Sequence, residues 1–264
     1  MNRSARRRLG GLGAVTAAVG VAAALLAQGA AGAAPAAAGV SAAAQAPASV
    51  PAWAPVRKTL YFGDRGADVR RVQERLNQLH YYPGAIDGQF GPDTLEAVWA
   101  FKEAQGLSTG ATANEIGYYM ERALVHPRLP KVLRPRGGAN RIEVSQPLQL
   151  LVLYRHNKPY LISHVSTGAG CLAGQGCGWL TPPGSYRSVG FLPGWVQVPL
   201  GEMYNPVFFI GRTYAIHGEW DSSVPLYPDS HGCVRMPYVI ATFFHDLVPA
   251  NGERIYIVGL APGT

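Results

Sequence analysis

The chain has 264 residues, enough for two compact domains, and 48% of them are hydrophobic. Its formal net charge is +7, from 23 Lys and Arg against 16 Asp and Glu. Four arginines lie within the first eight residues, which leaves 19 basic against 16 acidic residues and a balance of +3 for the remainder. No dense run of Lys or Arg remains, so the composition does not indicate nucleic-acid binding.

Residues 1–33 have the layout of a secretory signal peptide. A basic head precedes a weakly apolar stretch from Leu9 to Ala27, and Ala31-Gly32-Ala33 is a small-residue cleavage signal. The alternative is an uncleaved membrane anchor, for which this Ala- and Gly-rich stretch is poorly suited. We therefore expect cleavage, export from the cytoplasm and no membrane span in the mature form. Residues 34–56, rich in Ala and Pro, are predicted to be a linker.

Residues 57–110 predict a small all-α bundle. Pro92 suits the start of a helix and Gly106 its C-terminal cap. Apolar residues recur at helical spacing in two segments that turn-forming residues separate: Val69, Val72, Leu76 and Leu79 in the first, and Leu95, Val98 and Phe101 in the second.

The same stretch resembles the peptidoglycan-binding module of bacterial wall enzymes. The resemblance implies that it binds the wall polymer, and the alternative is a helical spacer that binds nothing. The matching residues are Gly63, Gly66, Val69, Val72, Gln73, Leu76, Tyr82, Gly84, Ile86, Asp87, Gly88, Phe90, Gly91, Thr94, Ala97, Val98 and Phe101.

The second half of the chain changes to the pattern of strands. Residues 111–140 are predicted to be a proline-containing connector, in which the stretch "NEIGYYMERAL" adds a short helix. Residues 141–260 contain many short apolar and aromatic segments separated by turns, and one helix that Pro237 opens. The pattern predicts a mainly-β domain, a barrel or a sandwich.

Three cysteines bear on the chemistry. In an exported protein cysteines tend to pair, and Cys171 and Cys177 lie close together on a Gly-rich loop. We expect these two to form a disulfide. This pairing leaves Cys233 as a free thiol, which is a liability in an oxidising compartment unless the thiol is used.

A metal site is one interpretation of the residues around Cys233. His217, His231, Cys233 and His245 are all potential zinc ligands, but their spacing contains no pair typical of zinc sites. We therefore expect neither a metal nor another cofactor.

A cysteine nucleophile explains more of the pattern. Arg235 and the N-terminus of the helix near Pro237 would favour the thiolate of Cys233, and His217 at the end of an apolar strand would be its base. Gly218 would bring a backbone carbonyl to the imidazole and fix its tautomer. Gly232 would turn the backbone so that its N–H and that of Cys233 form an oxyanion hole. These roles predict acyl transfer through a thioester.

The residues from Ile142 to Val258 resemble the L,D-transpeptidase catalytic domain. The match is carried by "IHG", "SHGCVRM", "VSTG" and "TPPGSY", in which five residues fit the family motif one by one: His217, Ser230, His231, Gly232 and Cys233. Arg235 stands where asparagine is frequent. The resemblance implies that Ser230 and His231 orient the loop and the substrate, and that Arg235 and Tyr204 lie next to the substrate.

The resemblance also implies the reaction. The carbonyl of the third residue of a peptidoglycan stem peptide becomes a thioester on Cys233, and an amine of a neighbouring stem resolves it to a cross-link between two third residues. Carbapenem-type inhibitors are expected to acylate the same cysteine. Hydrolysis of the thioester by an L,D-carboxypeptidase, a cysteine endopeptidase and a non-catalytic wall-binding protein are the alternatives.

Both resemblances imply action in the cell wall. The predicted site lies wholly in the second domain. Deleting residues 57–110 is therefore expected to weaken adherence to insoluble wall and to leave turnover of small soluble fragments largely intact.

Overall fold

The computed structural model describes residues 53–56, 58–172, 174–219 and 224–264. The predicted signal peptide and most of the predicted linker lie outside the described residues. All described residues belong to one compact unit. In this part of the chain, no helix combines the length and the apolar character that crossing a membrane requires.

The first part of the unit is helical. α1 buries Val69, Val72 and Leu76, which belong to the apolar face that the sequence predicts. The elements of this region are β1 (Leu60–Tyr61), α1 (Ala67–Gln78), α2 (Pro92–Gln105), β2 (Glu115–Ile116) and α3 (Tyr118–Val125).

The helical core reaches beyond residue 110. β1 pairs antiparallel with β2, so that Leu60 lies opposite Ile116, and α3 adds Met120 and Leu124 to the same hydrophobic cluster. Part of the predicted connector, residues 111–140, therefore packs as part of the helical region.

Helix α2 is covered on more than one side. It begins at Pro92 and is capped by Gly106 in the left-handed conformation, with φ 68°, as its sequence predicts. All ten residues from Thr94 to Glu103 are buried, because the helix contacts α1 as well as strands of the second region. Polar residues of α2 are consequently buried together with its apolar face.

The second part is mostly β. Its elements are β3 (Arg141–Ser145), β4 (Leu150–Arg155), β5 (Lys158–His164), β6 (Gly170–Leu172), β7 (Gly176–Trp179), β8 (Gly184–Phe191), β9 (Trp195–Val198), β10 (Gly201–Ile210), β11 (Tyr214–Gly218), β12 (Val234–Met236), α4 (Tyr238–Leu247) and β13 (Asn251–Val258). A mixed nine-stranded sheet has the order β12-β11-β10-β8-β13-β3-β4-β5, with β9 paired to β10. A helical region followed by a mainly-β domain confirms the predicted fold class.

Strand β8 joins the two halves of this sheet. Its first residues pair with β13 and its last residues, Gly190 and Phe191, pair with β10. The pairs β11–β12 and β13–β3 are parallel and the other pairs are antiparallel. Helix α4, which follows Pro237 directly, packs on β10 and β11. β11 and β12 thus lie at one end of the sheet, with α4 against them.

The helical region and the sheet share a hydrophobic core. Leu150, Val152 and Tyr154 of β4 and Ile162 of β5 belong to the same cluster of buried residues as the helices. The Ile162 N–H also donates to the carbonyl of His80, at 2.9 Å. Deleting residues 57–110 would expose this face of the sheet. The fold therefore does not support the expectation that the second domain works unchanged without them.

Candidate active site

Two neighbouring parallel strands place the predicted nucleophile and base on one face of the sheet. In β11 and β12, Ile216 pairs with Val234 and His217 pairs with Arg235. Ile216 and Val234 enter the hydrophobic core. Because side chains alternate between faces along a strand, His217, Arg235 and the residue before Val234, Cys233, face the other way.

These three side chains open onto one cavity of about 430 Å³. One part of its wall is apolar, and polar and charged groups form the rest. The lining residues are Gly178, Trp179, Val198, Pro199, Leu200, Glu202, Met203, Arg212, Thr213, Tyr214, His217, Glu219, Ser230, His231, Cys233 and Arg235. The volume is in the range of a small-molecule binding site.

The imidazole of His217 is neutral and is held in one tautomer. Its Nδ1 lies 2.9 Å from the carbonyl oxygen of Gly218, and because a carbonyl only accepts, Nδ1 carries the proton and Nε2 has the free lone pair. Burial lowers the pKa of His217 to about 4, an effect that the nearby charge of Arg235 reinforces and the Gly218 carbonyl opposes. The ring is therefore neutral at neutral pH, with its one proton on Nδ1. Gly218 also allows close packing, since a Cβ there would lie 2.6 Å from Cβ of Ala241 on α4.

Cys233 is the free cysteine of the described chain, and its thiol is more basic than the sequence predicts. Burial raises its pKa, and the Ala215 backbone and the charge of Arg235 oppose this without reversing it. The Sγ atom lies 3.7 Å from the carbonyl oxygen of Thr213, to which the thiol donates.

The fold does not support the expected effect of the helix N-terminus on this thiol. Strand β12 separates Cys233 from helix α4, and the field of a helix end falls off within about its first turn. The thiol therefore depends on a base to lose its proton near neutral pH.

Ser230 and Gly232 fix the loop that carries the cysteine. The Ser230 hydroxyl donates to the carbonyl of Cys233 at 2.6 Å and accepts the N–H of Gly232 at 3.0 Å. The Thr181 hydroxyl in turn donates to the carbonyl of Gly232 at 2.8 Å. Gly232 has φ +117°, and a Cβ there would lie 2.5 Å from the ring of Tyr214, so only glycine fits.

These contacts correct the oxyanion assignment of Gly232. Its N–H is used by Ser230 and is not a free donor toward the cavity. Its observed contribution is to the shape of the loop.

The predicted disulfide is present, and it closes a hairpin beside the site. Cys171 and Cys177 are bonded across β6 and β7. Gln175 at the turn lies 2.5 Å from Nε2 of His231, and the ring of Trp179 packs edge-on against His231 with centroids 4.8 Å apart. Burial, with a contribution from Arg235, lowers the pKa of His231. His231 thus connects the cysteine loop to this hairpin.

Arg235 belongs to an ion-pair network on the cavity wall. Its guanidinium lies 2.8 Å from the carboxylate of Glu219 and 3.3 Å from that of Asp229. Glu219 was not predicted as a site residue, and its carboxylate is also 3.8 Å from Nδ1 of His217. Its position two residues after His217, directly beyond the end of β11 at Gly218, is the signal that could have indicated it.

Tyr204 was predicted to lie next to the substrate, and the structure places it elsewhere. It pairs with Gly218 across β10 and β11, and therefore shares the face of Gly218, opposite to that of His217. Its ring packs against Trp195 and Tyr238, with centroids 5.0 and 4.6 Å away. Tyr204 is not among the described residues that line the cavity.

Of the potential zinc ligands, His245 lies on α4 with its ring stacked on Phe191, 4.4 Å between centroids. Within the described parts of the chain, no group of three or more His, Cys, Asp or Glu side chains is arranged to hold a metal ion.

Family models match both regions. Residues 65–111 match a peptidoglycan-binding domain and residues 139–257 match the L,D-transpeptidase catalytic domain. A search of curated proteins found no significant match to the chain.

A solved structure agrees with the second match. The chain is similar to an L,D-transpeptidase from Xylanimonas cellulosilytica, with 29% identity and a TM-score of 0.68 over 78% of this chain and 100% of that one. It is also similar to an L,D-transpeptidase from Stackebrandtia nassauensis, with 18% identity and a TM-score of 0.46 over 80% of this chain and 100% of that one. L,D-transpeptidase 1 of Mycobacterium tuberculosis has 19% identity and a TM-score of 0.36 over 46% of this chain and 62% of that one.

Fold and matches together define an enzyme that modifies peptidoglycan, by transpeptidation or a related reaction. In this chain, a region that matches a peptidoglycan-binding domain therefore precedes a region that matches the L,D-transpeptidase catalytic domain.

Proposed function

We propose that the protein is an L,D-transpeptidase that joins the third residues of two peptidoglycan stem peptides through a thioester on Cys233. The observation that carries the proposal is the pairing of β11 with β12, which places a free cysteine and a neutral, tautomer-fixed histidine on the wall of one cavity. This is the combination that nucleophilic catalysis by cysteine requires.

The reaction has two half-steps. In the first, Nε2 of His217 takes the proton of the Cys233 thiol as sulfur attacks the carbonyl carbon of the donor stem's third residue. The bond from that carbon to the D-alanine nitrogen breaks, and the leaving amine receives the proton from His217. In the second, an acceptor amine attacks the thioester and loses a proton to His217. The carbon–sulfur bond then breaks and the thiolate of Cys233 regains a proton.

The raised pKa of Cys233 gives His217 a necessary role. Because burial keeps the sulfur mostly protonated near neutral pH, attack requires proton removal by the neighbouring base. The ordered loop supports the same step, since Ser230 fixes the carbonyl of the reacting residue. The sequence predicted two oxyanion donors, the N–H groups of Gly232 and Cys233. Because the Gly232 N–H donates to Ser230, we propose the Cys233 N–H as the donor that remains.

The helical region is proposed to bind the wall polymer and raise the local concentration of stem peptides at the site. The predicted export signal fits this substrate, because peptidoglycan lies outside the cytoplasm. Carbapenems are proposed to acylate Cys233, since their strained carbonyl is open to the same attack. None of these steps routes through a metal or an organic cofactor.

Mass spectrometry of purified muropeptides incubated with the protein tests this function. Dimers linked between third residues are expected with the wild type and absent with Cys233→Ala. Trimmed stems without dimers would instead indicate an L,D-carboxypeptidase, in which water resolves the thioester. Unchanged muropeptides, together with adherence to insoluble wall, would indicate a non-catalytic wall-binding protein.

A further inference from the structure

The segment from Val224 to Asp229 leads directly into the cysteine loop, and hydrogen bonds hold it at several points. Near its end, the Ser166 hydroxyl donates to the carbonyl of Tyr227 at 2.8 Å and accepts the N–H of Asp229 at 3.0 Å. The Ser230 N–H then donates to the carbonyl of Thr167 at 3.1 Å. These anchors all belong to the β region.

The beginning of the segment is anchored differently, by helix α2 of the helical region. Glu96 accepts the N–H of Val224 through one carboxyl oxygen, at 2.5 Å. Leu226 packs against the hydrophobic cluster of the helices.

A second link from α2 runs through a buried histidine. Glu103 lies 2.7 Å from Nδ1 of His164, and Nε2 of His164 lies 3.1 Å from the carbonyl oxygen of Pro225. The exposed fraction of the His164 side chain is 0%, and the ring of Trp99 packs edge-on against it.

These contacts carry a cost in folding free energy. The second carboxylate oxygens of Glu96 and Glu103 and the indole nitrogen of Trp99 are buried without a hydrogen-bond partner. Burial of unpaired polar atoms opposes folding. An apolar helix face would pack against the sheet without this penalty, but it could not bind the N–H of Val224 or orient His164.

Resting on the proposed function, we propose that Glu96, and Glu103 through His164, are positioning residues for catalysis. They hold the start of segment 224–229 so that the loop of Ser230 to Cys233 presents the thiol to His217. The helical region then contributes to the chemical step as well as to wall binding.

The chain offers a matched control. Glu121 of α3 is also buried, accepts a backbone N–H through one oxygen, that of Val56 at 2.7 Å, and has its other oxygen unpartnered. Burial raises the pKa of Glu121 as it does that of Glu96. Glu121, however, does not contact the segment that leads to Cys233 in the described structure. Its loss should therefore cost stability without affecting the reaction.

The test measures carbapenem acylation of Cys233 by mass spectrometry in the full chain, beside the melting temperature of each variant. For Glu96→Ala the acylation rate constant should fall by about tenfold to a hundredfold, as expected when a reacting group is misplaced by an ångström or less. Burial raises the pKa of Glu96 to about 8, so the group is a neutral acid near pH 7 and Glu96→Gln should stay within about twofold of the wild type. Glu121→Ala should also stay within about twofold, with a melting temperature lowered as in Glu96→Ala.

Val224→Pro removes the donor of the same hydrogen bond, because proline has no N–H, and leaves α2 unchanged. This variant replaces Glu96→Ala in the test if Glu96→Ala does not fold. It should slow acylation as Glu96→Ala does, and the double variant should be no slower than the slower single one, because both changes delete one contact. Wild-type rates in Glu96→Ala or in Val224→Pro would overturn the positioning role, as would an equal loss in Glu121→Ala. Failure of the wild type itself to be acylated at Cys233 would instead reject the proposed function.

Discussion

Two histidines of this chain are almost completely buried, yet their pKa values shift in opposite directions. His217 has an exposed fraction of 3% and His164 of 0%. The pKa of His217 falls to about 4 because of burial. Burial alone would also lower the pKa of His164, but Glu103, Glu96 and the Pro225 carbonyl together outweigh it and the pKa is raised.

The difference lies in the partner of Nδ1. His217 donates from Nδ1 to a neutral carbonyl, that of Gly218, whereas His164 pairs there with a carboxylate. A neutral partner leaves Nε2 able to accept a proton, which suits a base. A charged partner makes the ring an ionic link between two regions of the chain. Burial therefore does not by itself tell a histidine proposed as a base from one that links two regions of the chain.

The largest effect is expected from the two residues assigned to the reaction. Cys233→Ala removes the atom that holds the acyl group, so no covalent adduct with a carbapenem should form. His217→Ala should slow acylation by about a thousandfold at neutral pH, within the range that a general base contributes. Part of the rate should return as pH rises, because the thiolate then forms without the base. Intact-protein and peptide mass spectrometry measure both.

An adduct on any residue other than Cys233 would contradict the assignment of the nucleophile. Undiminished acylation in His217→Ala would contradict that of the base. Cys171 and Cys177 are internal controls, since they are joined to each other and cannot react as thiols.

Removing the other histidine should affect stability first. His164→Leu leaves Glu103 buried without its partner and frees the carbonyl of Pro225, so the free energy of unfolding should fall by about 3 kcal/mol. Acylation of the protein that remains folded should also slow, in contrast to a purely structural role. Chemical denaturation beside the acylation assay measures both, and an unchanged unfolding midpoint would show that the Glu103–His164 pair contributes nothing net.

The two histidines should also give stability opposite dependences on pH. The contribution of His217 is fully present above its ordinary pKa of 6.5 and is lost as pH falls through about 4. That of His164 is present below 6.5 and is lost as pH rises through its raised folded-state pKa. Glu103, whose pKa burial raises to about 7, and Glu96, raised to about 8, act in the same direction as His164.

Melting temperatures of the wild type and two variants at about pH 5 and about pH 8 measure this difference. The deficit of His217→Ala relative to the wild type should be larger at the higher pH. The deficit of His164→Leu should be larger at the lower pH. Deficits that change in the same direction in both variants would show that the two rings do not differ in charge.

Local patterns were enough to predict part of this structure. The helical spacing of Val69, Val72 and Leu76 predicted a buried face, and Pro92 and Gly106 predicted the ends of α2. The short spacing of Cys171 and Cys177 predicted their bond. In each case the residues concerned are close in sequence, so no distant part of the chain decides the outcome.

Features that depend on distant pairing could not be predicted in this way. The face on which Tyr204 lies follows from the register of β10 against β11, which its own segment does not reveal. The separation of Cys233 from helix α4 depends on strand β12, whose three residues are too few to show the alternation of a strand in the sequence. The burial of Glu96 on α2 had a weak signal in the sequence, since apolar Trp99 lies three residues after Glu96 and four before Glu103 and is therefore next to both on the helix surface.

The smallest effect is expected from the ion pair between Glu219 and Arg235, which faces both reacting groups. Glu219 raises the pKa of Cys233 and Arg235 lowers it, each by less than burial does. Glu219→Gln should therefore shift the titration of the thiol to lower pH, and Arg235→Gln should shift it to higher pH.

Alkylation by iodoacetamide as a function of pH reports this titration, because the thiolate is the reacting form and the other two cysteines are bonded to each other. The two variants form a matched pair, since each loses one side of the same contact at 2.8 Å while only the sign of the removed charge differs. A purely structural role of the ion pair would shift both titrations in the same direction or neither. Opposite shifts would show that the two charges of the ion pair act on the pKa of the thiol.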